Sequence, residues 1–121
     1  MENIKVLLVD DEEELSLVLA ERLEIRGFDA EGVTSSEEAI KRINEKDFDV
    51  MVVDVKMPGI NGIELMKIIK QKKPNSQVIL FTGHGSVKEG EEGINEGAFD
   101  YLIKPVKLED LIKKIKEADE K

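Results

Sequence analysis

The stretch Asp49-Val50-Met51-Val52-Val53-Asp54 is an apolar run bounded by two aspartates. It shows no alternation of apolar and polar residues, which is typical of a strand buried on both faces of a parallel sheet. Residues 57–60, Met-Pro-Gly-Ile, follow it closely and have the composition of a turn. We therefore predict a strand over residues 49–53 that ends at Asp54.

Four other segments of the 121-residue chain have the character of strands. Residues 4–9 and 77–81 are also mostly apolar and suit buried strands. Residues 28–33 include two acidic residues and a glycine, and residues 100–103 are short, so we place both segments at the edges of the sheet.

Helical periodicity fills the intervals between these strands. The apolar residues expected on the buried helix faces are Leu15, Val18, Leu19, Leu23, Ala39, Ile40, Ile43, Leu65, Ile68, Ile69, Leu108, Leu111, Ile112 and Ile115. Helix starts are predicted by three capping pairs, Ser35/Glu38, Asn61/Glu64 and Ser86/Glu89. The fourth predicted helix contains Gly90 and Gly93, each of which costs about 1 kcal/mol relative to alanine, so we expect it to be the least stable helix.

Five strands that alternate with five helices predict an α/β protein in which helices cover both faces of a parallel sheet. Because crossovers between parallel strands are right-handed, few topologies remain. We expect the doubly wound (βα)5 flavodoxin-like fold, with a five-stranded parallel sheet of order 2-1-3-4-5 that puts the two weak strands at the edges. The length suits a single domain over residues 1–121.

The composition argues against several kinds of protein. The chain has no cysteine, which excludes disulfides and thiolate metal sites and fits a reducing compartment. Its formal net charge of −9 argues against direct binding to nucleic acid, whose phosphates would repel it. The apolar runs are too short to span a bilayer, and no basic region precedes an apolar stretch near the amino terminus. We expect a cytoplasmic protein that contacts neither nucleic acid nor membrane.

Polar side chains follow four of the five predicted strands. Asp10 and Asp11 follow the first strand, Asp54 the third, Thr82 the fourth and Lys104 the fifth. The carboxyl ends of parallel strands meet at one edge of the sheet, where ligands bind in open α/β folds. We therefore expect three carboxylates, a hydroxyl and an ammonium to converge there.

Three carboxylates packed together repel one another, which would raise the pKa of at least one of them. A hard divalent cation relieves this repulsion, and oxygen ligands with room for water suit Mg²⁺. The metal and Lys104 around a carboxylate would form a site for a phosphoryl group, whose charge both cations neutralise. An aspartate can be the nucleophile that forms an aspartyl phosphate.

These residues resemble the motifs of the receiver domain of response regulators in two-component signal transduction, and the resemblance covers essentially the whole chain. The matching motifs are Asp10-Asp11, Asp54-Val55-Lys56-Met57-Pro58-Gly59, Thr82-Gly83 and Lys104-Pro105. Each motif alone is weak, but together at successive strand ends they are specific.

The resemblance implies a role for each residue. Asp54 is the phosphoacceptor, Thr82 and Tyr101 are the switch residues, and Lys104 pairs with the phosphoryl group. The expected Mg²⁺ ligands are Asp10, Asp11, Asp54 and the backbone carbonyl of Lys56. The peptide bond before Pro105 is expected to be cis.

The resemblance also implies partners. A sensor histidine kinase or a phosphotransfer protein would donate the phosphoryl group from a phosphohistidine. A downstream target or output domain would recognise the face formed by the fourth helix, the fifth strand and the fifth helix. A homodimer through the fourth and fifth helices is one arrangement that the resemblance allows. The protein would then be no enzyme on an outside substrate, although it would catalyse its own phosphorylation and dephosphorylation.

Three other functions stay open at the level of sequence. A phosphate-independent protein-binding module would keep the fold, although its signature is the loss of Asp54, Thr82 or Lys104, and all three are present. An aspartate-based phosphatase typically needs a second aspartate two residues after the nucleophile, where this chain has Lys56. A flavin carrier needs a Ser/Thr/Gly-rich loop after the first strand, whereas residues 10–14 are all acidic.

Overall fold

The structure is a computed structural model that describes residues 3–121 and, of His84, the backbone alone. Its strands are β1 (Lys5–Val9), β2 (Asp29–Val33), β3 (Val50–Asp54), β4 (Gln77–Thr82) and β5 (Asp100–Ile103). Its helices are α1 (Glu13–Ile25), α2 (Ser36–Glu45), α3 (Gly62–Lys72), α4 (Val87–Asn95) and α5 (Leu108–Asp119), with a 3₁₀ turn over His84–Ser86. Among residues 3–121, none of the helices combines the length and the apolar character needed to cross a bilayer.

The five strands form one parallel sheet in the order β2-β1-β3-β4-β5, which confirms the predicted fold class and topology. β3 lies at its centre, where Val50 pairs with Val6 of β1 and with Gln77 of β4. Residues 50–53 are at most 1% exposed. The apolar run without alternation therefore occupies the doubly covered middle of the sheet.

Helices cover both faces of the sheet, and the two-residue period of the strands sorts the apolar side chains into two cores. The core under α2 and α3 has as its largest fully buried members Leu7, Ile43, Met51, Leu65, Met66, Ile69 and Leu80. The core under α1 and α5 has Leu8, Leu23, Ile79, Leu111 and Ile115. Burying one such side chain contributes about 1.5–3 kcal/mol relative to leaving it exposed. Packing against the sheet, more than helix propensity, therefore stabilises the helices.

The acidic residues that weakened the β2 pattern form ion pairs with Arg42 of α2 and with Lys46, which follows that helix. The carboxylate of Glu31 lies 2.7 Å from Arg42 Nη2 and 3.0 Å from Lys46 Nζ. Burial raises the pKa of Glu31, but hydrogen bonds from Lys46 and Arg42 outweigh it and leave the pKa below its usual range. Charges on an edge strand also discourage pairing with another chain.

Two of the three predicted helix caps are confirmed. The side chain of Ser35 accepts a hydrogen bond from the Glu38 N–H at 3.1 Å, and Asn61 Oδ1 accepts one from the Glu64 N–H at 3.0 Å. The third prediction was wrong, because the Ser86 side chain makes no capping hydrogen bond. Ser86 belongs to the 3₁₀ turn and has φ −122° and ψ 14°, not the extended backbone that a capping residue needs.

The buried face of α1 also differs from the prediction. Val18 is 40% exposed, whereas Ser16 is 1% exposed and Ala20 is 8% exposed. The Ser16 hydroxyl donates to the carbonyl of Val33 at 3.3 Å. Ser16 and Ala20 therefore contact the sheet together with Leu23, which is buried as predicted, whereas the placement of Val18 on this face was wrong.

Candidate functional site

The strand ends bring the polar side chains predicted from the sequence to one edge of the sheet. Asp10 follows β1, Asp54 ends β3, Thr82 ends β4 and Lys104 follows β5. Asp10 is 3% exposed, Asp54 7% and Thr82 0%, whereas Asp11 is exposed. Three of the polar residues are thus buried at the place where the sheet opens to solvent.

Asp10, Asp11 and Asp54 form a carboxylate cluster in which one oxygen of each lies within 4.8 Å of the others. Mg²⁺ holds its oxygen ligands at about 2.0–2.1 Å, so two ligands on opposite sides of the ion lie roughly 4 Å apart. The 4.8 Å limit is wider than this, so the three side chains would have to move inward, or bind through a water, to share one ion. A donor set of carboxylates suits Mg²⁺ better than Zn²⁺.

Lys104 neutralises part of this cluster. Its Nζ lies 2.7 Å from Asp10 Oδ2, 3.3 Å from Asp54 Oδ2 and 3.4 Å from Glu12 Oε1. Burial lowers the pKa of Lys104, but the carboxylates of Asp10 and Asp54 outweigh it and raise the pKa overall. Asp10 Oδ2 receives no hydrogen bond of good geometry, yet the ammonium beside it compensates its charge.

Asp54 is held in one orientation but is poorly solvated. Burial and the charge of Asp10 raise the pKa of Asp54 to about 6, against the opposing effects of Lys104 and the Lys56 N–H. The Lys56 N–H donates to Oδ1 at 3.2 Å, and the Lys104 ammonium donates to Oδ2 at 3.3 Å. A divalent cation beside Asp54 would favour its ionised form, which is the form that acts as a nucleophile.

Thr82 carries a buried hydroxyl that has no hydrogen-bond partner within the described residues. Leaving such a group unpaired costs about 1–3 kcal/mol. The Thr82 carbonyl does have a partner, because it accepts the backbone N–H of Lys104 at 2.7 Å. The hydroxyl therefore has hydrogen-bonding capacity left for a bound group or a water at this edge of the sheet.

Tyr101 lies next to Thr82 beneath α4. It is half-buried on β5, where it pairs in register with Leu80, and it packs against the core under α2 and α3. A methyl group placed on Gly90 of α4 would lie 2.9 Å from both Tyr101 Cγ and Thr82 Cγ2. The two residues predicted to act as switches therefore contact one small area of the same helix.

Lys56 and Pro105 complete the predicted set. The Lys56 side chain is exposed, and the backbone N–H of Lys56 donates to Asp54 Oδ1. The role of the Lys56 carbonyl as a metal ligand stays a prediction. The peptide bond between Lys104 and Pro105 is cis.

Sequence reasoning missed two residues that shape the site. The Glu12 N–H donates to Asp10 Oδ1 at 2.9 Å, and the Glu12 carboxylate reaches Lys104. Gly62 begins α3, where a methyl group would collide with the backbone carbonyl oxygen of Asp54. The dipeptide Asn61-Gly62 was the available signal for this close approach, since glycine permits backbones to meet.

The chain matches one family of proteins in sequence. The family model for the response regulator receiver domain matches residues 6–116. A putative NtrX-like response regulator from Rickettsia felis is 34% identical over 99% of this chain and 26% of its own length. The C4-dicarboxylate transport transcriptional regulatory protein DctD from Rhizobium meliloti is 31% identical over 96% of this chain and 25% of its own length. This chain thus spans about a quarter of the length of these relatives.

Solved structures of receiver domains superpose on this chain. A response regulator receiver domain protein from Clostridium thermocellum superposes with a TM-score of 0.92 at 35% identity, covering 97% of this chain and 94% of that one. The receiver domain of NtrX from Brucella abortus superposes with a TM-score of 0.90 at 28% identity, covering 95% of this chain and 98% of that one.

Proposed function

The chain belongs to the response regulator receiver family, and on that premise we propose that it is a phosphoryl-accepting switch of two-component signalling. Asp54 accepts the phosphoryl group with Mg²⁺ bound beside it. Thr82 and Tyr101 relay the change to the face formed by α4, β5 and α5. The supporting observation is that two other carboxylates and a lysine lie beside Asp54, and that the neighbouring strand ends at Thr82, whose buried hydroxyl is unpaired.

The proposed reaction is phosphoryl transfer from a phosphohistidine of a sensor kinase or phosphotransfer protein. An oxygen of Asp54 attacks phosphorus, so that a P–O bond forms while the P–N bond breaks and its electron pair leaves with the imidazole. The Lys56 N–H and the Lys104 ammonium hold the two carboxylate oxygens in place for this attack. Lys104 then compensates negative charge on the transferred oxygens.

The metal is proposed to be Mg²⁺, held by Asp10, Asp11, Asp54 and the Lys56 carbonyl. A metal bound by these residues would supply positive charge that neutralises the transferred phosphoryl oxygens. The spacing of the carboxylate cluster supports this assignment. The raised pKa of Asp54 supports it as well, because a cation beside the carboxylate would offset the burial and the charge of Asp10 that raise it.

The proposed relay begins at the Thr82 hydroxyl, which would gain its missing partner in a phosphoryl oxygen on Asp54. Turning of the Thr82 side chain changes the space beneath α4, and the Tyr101 ring shares that space. All four residues of β5 are half-buried, so the strand is accessible from solvent beside α4 and α5. A downstream target, an output domain or a second copy of the chain would bind on this face.

A phosphoryl donor must dock near Asp54, and a cavity of about 420 Å³ adjoins the site. Its apolar lining is formed by Leu15, Leu19, Phe81, Pro105 and Val106. Glu12 and Lys104, which also line it, connect it to the carboxylate cluster. We expect an apolar side chain of the donor protein to enter here and to bring its phosphohistidine to Asp54.

The deciding experiment is intact-mass measurement after incubation with acetyl phosphate, a small phosphoryl donor. Wild-type protein and Asp54→Asn are compared with Mg²⁺ and with EDTA, after urea unfolding has shown that both are folded. The expected result is a gain of one phosphoryl group that requires both the metal and Asp54. Its decay after the donor is removed measures the dephosphorylation that the resemblance implies.

Two other outcomes would change the conclusion. A mass gain in Asp54→Asn would move the acceptor to another residue. No gain in folded wild-type protein that binds Mg²⁺ would favour the phosphate-independent binding module.

A further inference from the structure

Gly90 and Gly93 are buried on the face of α4 that meets the sheet. Glycine within a helix costs about 1 kcal/mol relative to alanine, so two of them in a helix this short call for a structural reason. The reason is that the backbone of α4 lies very close to side chains of the sheet. A methyl group on Gly93 would collide with the Leu80 side chain, and one on Gly90 would lie 2.9 Å from Thr82 Cγ2 and from Tyr101 Cγ.

The two glycines meet different neighbours. Gly93 faces Leu80 and Ile63, which are core residues. Gly90 faces the side chains of Thr82 and Tyr101 together. Carbon atoms in contact normally lie about 3.5–4.0 Å apart, so any side chain at position 90 would force one of its neighbours to move.

Thr82 and Tyr101 differ in how far their side chains can move away from a methyl group at position 90. Thr82 is 0% exposed, and its β-branched side chain has few allowed rotamers. Tyr101 is half-buried on an edge strand, so its ring can move toward solvent. A methyl group at position 90 would therefore push the Tyr101 ring outward and hinder the turning of Thr82.

We propose that Gly90 is a positioning residue of the switch, and that its missing side chain provides the space through which phosphorylation of Asp54 changes the position of Tyr101. The inference rests on the proposed function and goes beyond it, because Gly90 acts through Thr82 and Tyr101 and not on the phosphoryl group. Gly90→Ala then leaves Asp54 able to accept phosphoryl and uncouples Tyr101 from it.

The chain offers a direct readout. Tyr101 is its single tyrosine and there is no tryptophan, so intrinsic fluorescence and its quenching by acrylamide report on this ring. Each sample is measured before and after incubation with acetyl phosphate and Mg²⁺, and its intact mass is recorded alongside. We expect a phosphorylation-dependent change in quenching for the wild type. For Gly90→Ala we expect full phosphorylation with that change lost and Tyr101 exposed throughout.

Gly93→Ala is the matched control, because it makes the same substitution in the same helix but meets Leu80 in place of the switch residues. It is expected to alter stability and to keep the Tyr101 response. A second comparison sets Gly90→Ala/Thr82→Ser against Thr82→Ser alone. Serine keeps the hydroxyl and lacks the Cγ2 atom, so the double variant relieves one of the two close contacts. If Gly90→Ala does not fold, the comparison of the double variant with Thr82→Ser tests the inference in its place.

The outcomes separate this inference from the proposed function. If wild-type protein gains no phosphoryl group, the proposed function fails and the inference fails with it. If the wild type is phosphorylated but Tyr101 does not respond, the proposed relay through Tyr101 fails together with the inference. If Tyr101 responds equally in Gly90→Ala, the inference alone is overturned. Equal loss of the response in Gly93→Ala, or loss of phosphorylation in Gly90→Ala, would also overturn it.

Discussion

The ammonium of Lys104 lies 2.7 Å from Oδ2 of Asp10, a carboxylate that is only 3% exposed. The family resemblance assigns Lys104 to the phosphoryl group and Asp10 to the metal. In the structure the two residues compensate each other's charge. On the proposed function, Lys104 and Mg²⁺ would share one set of carboxylates, and binding of the cation would release Lys104 toward a phosphoryl group.

Lys104→Met should destabilise the protein in EDTA, because it leaves Asp10 and Asp54 facing each other without a cation. The loss should be smaller than the roughly 3–5 kcal/mol of a fully buried pair, since the Lys104 side chain is 20% exposed. Mg²⁺ should stabilise this variant more than the wild type, because a ligand stabilises by its affinity for the folded state. Urea unfolding across a Mg²⁺ series checks this, and equal stabilisation of both proteins would contradict the shared site. We also expect the variant to accept phosphoryl poorly and to show no Tyr101 response.

Asp54→Asn should stabilise the metal-free protein at neutral pH. Since the folded-state pKa of Asp54 is raised to about 6, ionising this group costs stability as pH rises from the ordinary carboxyl range to that value. The advantage of the variant should therefore be absent at acid pH and reach at most about 3 kcal/mol above the raised pKa. Urea unfolding in EDTA at several pH values measures it. A difference that does not depend on pH would argue against the raised pKa.

Thr82→Val should raise the free energy of unfolding by about 1 kcal/mol, because it replaces a buried hydroxyl without a partner by a methyl group of similar size. The same change should abolish the Tyr101 fluorescence response to acetyl phosphate. A gain in stability together with loss of the Tyr101 response would indicate that the hydroxyl serves function and not stability. Destabilisation by Thr82→Val would mean that the hydroxyl has a partner, such as a bound water.

Gly62→Ala should destabilise the protein by about 1–3 kcal/mol, because a methyl group there presses on the backbone of Asp54. It should also slow phosphorylation by shifting the acceptor, which a time course of intact mass would show. Gly85→Ala is the control, since a methyl group at Gly85 meets no atom within 4 Å. Equal behaviour of the two variants would exclude a special role for Gly62.

Glu31→Gln should lower stability by about 0.5–1 kcal/mol at neutral pH through loss of its pairs with Arg42 and Lys46. Because the pKa of Glu31 is lowered in the folded state, this contribution is complete above the ordinary glutamate pKa and is lost as pH falls through the lowered value. Unfolding of variant and wild type should therefore converge in acid. Glu45→Gln, which removes a carboxylate 51% exposed, should have little effect at any pH.

Most of the fold and the positions of the site residues could be read from local patterns. The apolar run before Asp54 identified a strand covered on both faces, and acidic residues marked β2 as an edge. The polar residues after four strands converged because parallel strands end at one edge, so a correct strand order was enough to bring Asp10, Asp54 and Thr82 together. Both confirmed caps, Ser35 and Asn61, depend on contacts three residues apart.

The sequence patterns could not show how the elements join or how closely they approach one another. The α1 leucine pattern could not show that Ser16 and Ala20 face the sheet, and the Ser86 pattern could not show a 3₁₀ turn ahead of α4. Gly90 looked like a weak helix residue until its distance to Thr82 and Tyr101 was known. Lys104 was placed at the correct edge, but its nearest partner, Asp10, is 94 positions away in the chain. Periodicity reports which side of one element is buried. How closely two elements approach is decided by side chains from distant parts of the chain, and the switch and charge pairing of this protein depend on those approaches.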